Sequence, residues 1–406
     1  MSFDIALSGI QAINEQLNTV SNNIANAATY GFKSSRANFS SVYAGTRANG
    51  VEIGSVTQTI SQNGSNVTTG RGLDAAINGR GFFISRDVQG GTSYSRVGIF
   101  AADTTGYLID SNGKRVQGYG PSNGGALGAM GDIQIPTGQI PAVATENIDY
   151  VGNLSADWKV PGTTTDAEGK EIVVPVEFDP ANSKSYNMVK QSIVYDSLGT
   201  QHTLSAYYIA DGEGSVDVKY SFDGADATDG DKLTFDTNGK LAADTKPFAI
   251  KYTGTNGAAD GEFTIDYTGT TRLAGTATTT TNRSDGYASG AFVGVEMAAD
   301  GSLVAKYSND QSQVVGTIAI ATFANEGALT ATSDTSWTAN ASSGDALYNT
   351  PGVGLAGKLS TGSLEGSNVD ITSELVGLMT SQRNYQANSK VLSTESQMMQ
   401  SLMQAM

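Results

Sequence analysis

The residues able to do chemistry are few, and their spacing argues against most of it. Ser122 lies in "GPSNG", residues 120–124, which fits the G-x-S-x-G pattern of a nucleophilic serine. That serine needs a sharp strand-to-helix turn and a base; Pro121 breaks the turn, and His202, in "TQHTLSAYY", is the chain's single histidine. "GVGLAGKL", residues 352–359, fits G-x-x-x-x-G-K, but Leu359 stands where a hydroxyl must hold Mg²⁺, and the stretch reads as a flexible connector. "GRGLDA", residues 70–75, echoes a dinucleotide loop without its third small residue or a buried strand before it. "DGADATDGD" offers Asp223, Asp226, Asp229 and Asp231 to a hard cation but lacks the alternating ligands and closing Glu of a calcium loop. It reads as an acidic, solvated turn. No pair of carboxylates is singled out for sugar hydrolysis.

Composition narrows the choice further. The 406 residues allow two or three domains, and 39% hydrophobic content supports several modest cores. There is no cysteine, so disulfides and thiolate metal sites are absent, and one histidine leaves little for zinc catalysis. No cofactor or metal is expected. The formal charge of -16 repels nucleic acid and anionic lipid alike. "MSFDIALSGIQ" has no basic n-region or apolar h-region, and no run reaches the length of a membrane helix, so no cleaved signal and no membrane insertion are expected. The acidic, Gly-rich, Cys-free composition nevertheless suits an extracellular protein, which requires another export route.

Periodicity shows what the termini are for. Phe3, Ala6, Ile10, Ile13, Leu17, Val20, Ile24 and Ala27 alternate steps of three and four, a heptad seam on an amphipathic helix. Ile371, Leu375, Leu378, Tyr385, Leu392, Met399 and Met403 repeat that register at the other end, with Gln382, Ser389 and Ser396 interrupting it. Met379, Val391, Met398 and Leu402 widen the second stripe, so this helix should touch more than one neighbour. A lone helix of this length is weak in water, and both ends are expected to order on assembly.

Between the helices the pattern is β. "AAINGRGFFISRD" and "TGYLIDSNGKRVQGYG" carry turn signals at Asn78-Gly79 and Asn112-Gly113; Asn238-Gly239 and Asp300-Gly301 supply others. Composition shifts near residue 140 and at 276–287 mark borders. Residues 151–300 hold 22 acidic and 11 basic side chains, whereas residues 1–74 hold four of each. The expected fold is therefore multidomain, with α-helical coiled-coil-like termini, a mainly-β inner domain and an inserted mainly-β outer domain. The segments are 1–27 with 368–406 (terminal helices), 28–70 with 355–367 (extended connector), 71–145 with 285–354 (β middle domain) and 146–284 (acidic outer insert).

"SNNIANAATYGFKSSRANF" and "VDITSELVGLMTSQRNYQANSKVLSTESQMMQSLM" resemble the N- and C-terminal signatures of the flagellar axial proteins. "LDAAINGRGFFIS" with "YSRVGIFAADTTGYLIDSNGKRVQGYG" is similar to the β domain that rod and hook proteins share. With this length and one large insert, the resemblance implies a hook subunit. It would leave the cell through the flagellar type III export apparatus, insert beneath the hook cap, and polymerise with itself into a curved hollow tube. That tube would pass torque, as a universal joint, from the distal rod protein to the hook-filament junction protein. Asn26, Tyr30, Gly31 and Phe32 would turn the chain from helix into connector. The competing reading is a secreted β-rich, adhesin-like binding module oligomerised by its terminal helices.

Overall fold

The computed structural model describes residues 2–121, 127–165, 169–174 and 176–405. Two long helices close the chain at its ends: α1, Ser2–Ala25, and α2, Ile371–Ala405. The described residues between them form strands, turns and one 3₁₀ turn at Glu326–Ala328. The chain divides into two compact units. The first comprises Met1–Thr137, Val293–Lys306 and Ser312–Met406; the second comprises Gly138–Phe292 and Tyr307–Gln311.

In the first unit, a long antiparallel hairpin follows α1, formed by β1, Ser35–Ala44, and β2, Arg47–Gln58. Then come two short strands, β3, Asn66–Thr68, and β4, Ala75–Asn78. They pair with the returning strands Ser363–Glu365 and Lys358–Thr361. The "GVGLAGKL" stretch therefore leads into a strand rather than a phosphate-binding helix, and its end is part of a ladder rather than a loose connector. The remaining strands of this unit form a thirteen-stranded sheet system. Its core gathers Ile60, Phe82, Ile84, Tyr94, Phe323, Leu329 and Trp337, with Tyr94 edge-on to Phe323 at 4.8 Å between centroids. The Trp337 indole N–H donates to Gln58 Oε1 at 2.8 Å, which ties the foot of the hairpin to this core.

The second unit holds two four-stranded sheets. One is the meander Met188–Tyr195, Gln201–Ala210, Val216–Phe222 and Thr228–Leu233. The other runs Phe248–Tyr252, Gly261–Asp266, Asn147–Asn153 and Thr278–Ser284, with Asn147–Asn153 parallel to Gly261–Asp266. Alternating inward residues of both sheets, among them Tyr150, Tyr208, Tyr220, Leu233 and Phe263, share one cluster. The Tyr220 and Tyr267 hydroxyls lie 2.8 Å apart in it, and burial pushes the Tyr267 phenol up to about 12. The main segment of the unit, Gly138–Phe292, begins eight residues before and ends eight residues after the expected insert of 146–284, and Tyr307–Gln311 joins it. The reason is a two-chain stem, Ile140 opposite Gly290 and Val143 opposite Tyr287.

One turn device recurs in both units. In D-x-x-G-x, the Asp carboxylate accepts the backbone N–H groups two and four residues later, and the Gly takes a positive φ. Asp103, Asp110, Asp196, Asp211 and Asp236 all do this, with Gly106, Gly113, Gly199, Gly214 and Gly239 at φ between 73° and 95°. Asn112-Gly113 and Asn238-Gly239 turn as expected. Asn78-Gly79 differs, because the strand before it pairs with Lys358–Thr361 and not with the strand after it.

Candidate assembly interface

The helices α1 and α2 pair antiparallel in a constant register. A Cβ built on Gly9 would lie 2.9 Å from Asn388 Nδ2, Val20 touches Gly377, and Asn23 Nδ2 donates to Glu374 Oε1 at 2.8 Å. The buried residues of α1 are Ala6, Gly9, Ala12, Ile13, Thr19, Val20 and Asn23, on a helix that packs on both α2 and the β1–β2 hairpin. Three of the eight seam residues, Ala6, Ile13 and Val20, are therefore buried inside the chain. Four more, Phe3, Ile10, Leu17 and Ile24, recur every seven residues along the flank: Phe3 is exposed and the other three are half-buried. Ala27 lies beyond the helix end.

On α2 the imbalance is greater. Ser381 is its one buried residue, and its hydroxyl has no hydrogen-bond partner. Glu374, Gly377, Leu378, Asn388 and Leu392 are half-buried towards α1, so small and polar groups make up most of the contact. Ile371, Leu375, Tyr385, Met399 and Met403 are exposed, the last at 76%, as are Val376, Met379, Val391, Met398 and Leu402. Extending the register places Ser2 opposite Glu395. Residues 396–405, about 15 Å of helix, project past the start of α1. The four large apolar residues of that overhang, Met398, Met399, Leu402 and Met403, have no α1 beside them in this register.

The connector is more structured than an extended run. Asn26 folds back on Asn22 through backbone and side chain, and its Oδ1 accepts from Thr29 Oγ1 at 3.1 Å. Gly31 has φ +69°, donates its N–H to the Glu365 carbonyl at 2.8 Å, and has no room for a Cβ, which would stand 2.9 Å from Val97 Cγ2. Tyr30 and Phe32 flank it, both half-buried. The hairpin β1–β2 then lies along α1, where Ser8 Oγ accepts the Val51 N–H at 3.2 Å. Its Phe39, Tyr43 and Val56 remain exposed. Alternating β-forming residues build this hairpin, and register shifts at Asn38/Phe39 and Ser41/Tyr43 mask the alternation in sequence.

Periodicity gave no sign of the polar staples at this corner. Asn23 is buried and holds both the carbonyl and the N–H of Ser35, at 2.8 and 2.9 Å. Asn368 accepts the Ser34 N–H at 2.7 Å and donates to the carbonyls of Thr59 and Gln62. Lys33, Arg96 and Glu365 are buried together, with Glu365 bonded to Lys33 Nζ at 2.6 Å and to Arg96 Nη1 at 3.2 Å. Burial pushes the Lys33 ammonium down, against the opposing pull of Glu365. The Asn-rich composition of residues 21–26 is the one sequence signal for any of these contacts.

The candidates for chemistry dissolve on inspection. Ser122 lies outside the described residues. His202 sits in a strand with Nδ1 2.6 Å from Asp223 and Nε2 3.4 Å from Asp196, stacked on Phe222, with no nucleophile against it. Asp223 thus serves His202 and the Thr203 N–H, while Asp229 pairs with Lys219. Among the described residues no group of His, Asp and Glu could hold a metal, and no helix is long and apolar enough to cross a membrane. A polar groove of about 670 Å³ in the second unit is lined by Asn147, Asp149, Asp266, Arg283 and Asp285. The Asp285 carboxylate there is already taken by the N–H groups of Glu146 and Asn147.

Among the described residues, what is left over is apolar helix surface at both ends of the chain. Comparison with known proteins agrees along the whole length. Residues 3–33 match the model described as flagella basal body rod protein, and 76–156 match the flagellar hook protein FlgE/F/G D1 domain. Residues 163–287 match the flagellar basal body protein FlaE D2 domain, and 360–405 the flagellar basal body rod FlgEFG protein C-terminal. The flagellar hook protein FlgE of Salmonella typhimurium is 36% identical, with 99% of each chain covered. That of Escherichia coli is 34% identical, also over 99% of each, and that of Treponema pallidum 30% over 98% and 97%. In fold, the chain is similar to the crystal structure of Helicobacter pylori flagellar hook protein FlgE2, with a TM-score of 0.55 and 13% identity, over 74% of this chain and 100% of that one. The chain belongs to the flagellar hook protein family. It is a structural, self-polymerising subunit located in the flagellar hook and is not an enzyme.

Proposed function

We propose that the apolar stripes left uncovered by the α1–α2 pair are the surfaces through which copies of this chain polymerise. The observation that carries this reading is the single buried residue on a helix of 35 residues. Phe3, Ile10, Leu17 and Ile24 on α1, and Ile371, Leu375, Tyr385, Met399 and Met403 on α2, find their missing neighbours in sibling subunits. In the assembled tube the terminal helices, 1–27 with 368–406, line the inside. The connector, 28–70 with 355–367, and the middle domain, 71–145 with 285–354, surround them, and the acidic insert, 146–284, faces outward.

The tube acts as a universal joint that carries torque from rod to filament. Interlocked helix seams resist twist, because a one-step slip takes every knob out of its hole. Outer surfaces rich in Thr, Ser, Gly, Asp and Asn exchange contacts with water at small cost and let subunits slide as the tube bends. The chain reaches its site through the flagellar type III apparatus. It inserts beneath the hook cap, between the distal rod protein and the hook-filament junction protein.

Combined Leu17→Ala and Ile24→Ala substitution tests the assembly surface by electron microscopy of concentrated protein. Curved tubes should vanish while the cooperative melting of both β units is retained. Tubes indistinguishable from those of the parent chain would overturn the reading.

A further inference from the structure

We propose that the Glu365 carboxylate is a preformed joint that clamps both connectors of the terminal helices to the β core of the first unit. It would fix the direction in which the helices leave that core before any second subunit arrives. The helices are joined to the rest of the chain through two segments, one after α1 and one before α2. Glu365 stands in the second, five residues before Asp370, whose carboxylate accepts the first N–H groups of α2.

Every hydrogen-bonding atom of Glu365 that faces the joint is used to hold another segment. Oε1 accepts from Lys33 Nζ at 2.6 Å, on the chain leaving α1, and from the Gly64 N–H at 3.0 Å, on the chain returning from the β1–β2 hairpin. Oε2 accepts from Arg96 Nη1 at 3.2 Å. The backbone carbonyl of Glu365 accepts the Gly31 N–H. The two cations carry the connection deeper: Lys33 Nζ also donates to the Gln62 carbonyl at 2.6 Å, and Arg96 to the carbonyls of Ile77 at 3.3 Å and Gly79 at 2.9 Å. The Arg96 guanidinium lies over the Phe82 ring in the core at 5.2 Å. Side-chain exposure is 0% for Lys33, 1% for Glu365 and 0% for Arg96.

Stability alone is a poor reason for this arrangement. A buried ion pair is often no better than an apolar pair of the same volume. Here one carboxylate serves two cations, and Arg96 Nε is left without a partner. Buried charge does differ from apolar packing in how it responds to displacement. Apolar surfaces can slide and repack at small cost, whereas drawing Lys33 or Arg96 away from Glu365 leaves a desolvated charge uncompensated. The joint therefore resists separation of the segments that Glu365 holds together. This inference rests on the reading that the helices carry the contacts between subunits, but its readout is made on the monomer and does not depend on polymer formation.

Hydrogen exchange on the full-length monomer, kept dilute, tests it. In the parent chain residues 28–34, 59–65 and 363–369 should be protected together. Glu365→Gln, which leaves two buried cations unneutralised, should raise exchange in all three segments by about tenfold or more, while Phe82–Arg86 and the second unit keep their protection. Lys33→Met leaves Glu365 paired with Arg96 and should raise it by about threefold or less. Adding Lys33→Met to Glu365→Gln removes one orphaned cation and should recover part of the lost protection. If Glu365→Gln does not fold, Glu365→Asp, which keeps the charge but shortens its reach, should show the same joint loosening. The proposal is overturned if Glu365→Gln, or in its place Glu365→Asp, leaves the segment after α1 protected, or if Lys33→Met is as damaging as Glu365→Gln. Should the Leu17→Ala, Ile24→Ala chain still polymerise, the assembly reading falls and the monomer result is untouched.

Discussion

At the scale of residues, the second unit carries a pH window written in its carboxylates and its histidine. Burial would raise the Asp196 carboxyl, but the N–H groups of Thr200 and Leu198 and the His202 ring more than offset it and hold it below its usual range. Asp211 is held well down against burial by Lys232 and Ser215, and Asp236 by the Lys240 and Asn238 amides. Groups depressed on folding stabilise the fold above their unfolded values, about 4 for Asp, and lose that contribution as pH falls through the folded values. His202 works in the opposite sense. Burial would lower it, yet Asp223 and Asp196 raise it, so its contribution is complete below about 6.5 and is lost as pH rises through the raised value. Thermal melting of the second unit against pH should therefore plateau between about 4 and 6.5 and decline on both sides. His202→Gln should flatten the alkaline decline and keep the part of the acid limb that comes from Asp211 and Asp236; an unchanged alkaline limb would show that the ring is not responsible. Only part of this was legible beforehand. The Asn-Gly pairs announce turns, but the Asp two residues before the Asn, which organises the loop, belongs to a D-x-x-G spacing that turn dipeptides do not reveal.

At the scale of elements, the heptad spacing located both helices but not the face each one uses. Apolar periodicity counts candidate contacts without saying whether the partner is α2 or another molecule. The intrachain contact is made largely by Gly9, Gly377, Ser381 and Asn388, residues that a hydrophobic stripe passes over. Glu365 and Lys33 are 332 positions apart, and no local pattern links them. The hairpin β1–β2 was hidden for a different reason, since its two register shifts break strict alternation. The α2 overhang gives this scale its prediction. Ending the chain after Glu395 removes Met398, Met399, Leu402 and Met403, none of which faces α1 in the extended register. The monomer should melt as before, within about 2 °C, since surface changes away from packed features typically cost less than about 0.5 kcal/mol. Polymerisation, followed by sedimentation of concentrated protein, should be lost. A lower melting temperature for the first unit would mean that the overhang packs within its own chain.

At the scale of the whole molecule, the second unit is an insertion whose two ends are held side by side by the bridges Ile140–Gly290 and Val143–Tyr287. Its sheets share a core among themselves, so the chain can lose the unit without leaving a distant gap to close. Its charge points the same way. Residues 151–300 hold 22 acidic against 11 basic side chains, and copies brought close in a polymer repel over roughly the 10 Å Debye length at 0.1 M salt. Cohesion that survives such repulsion must come from elsewhere, and residues 1–74, with four charges of each sign, carry no net charge to oppose it. Replacing residues 141–289 by a short Gly-Ser turn should therefore leave a chain that folds its first unit and still forms tubes. Those tubes should be thinner, and their formation should depend less on salt than that of the full chain. If the shortened chain folds but makes no tubes at any salt concentration, the second unit supplies cohesion rather than compliance, and the division of labour between seam and outer surface is wrong.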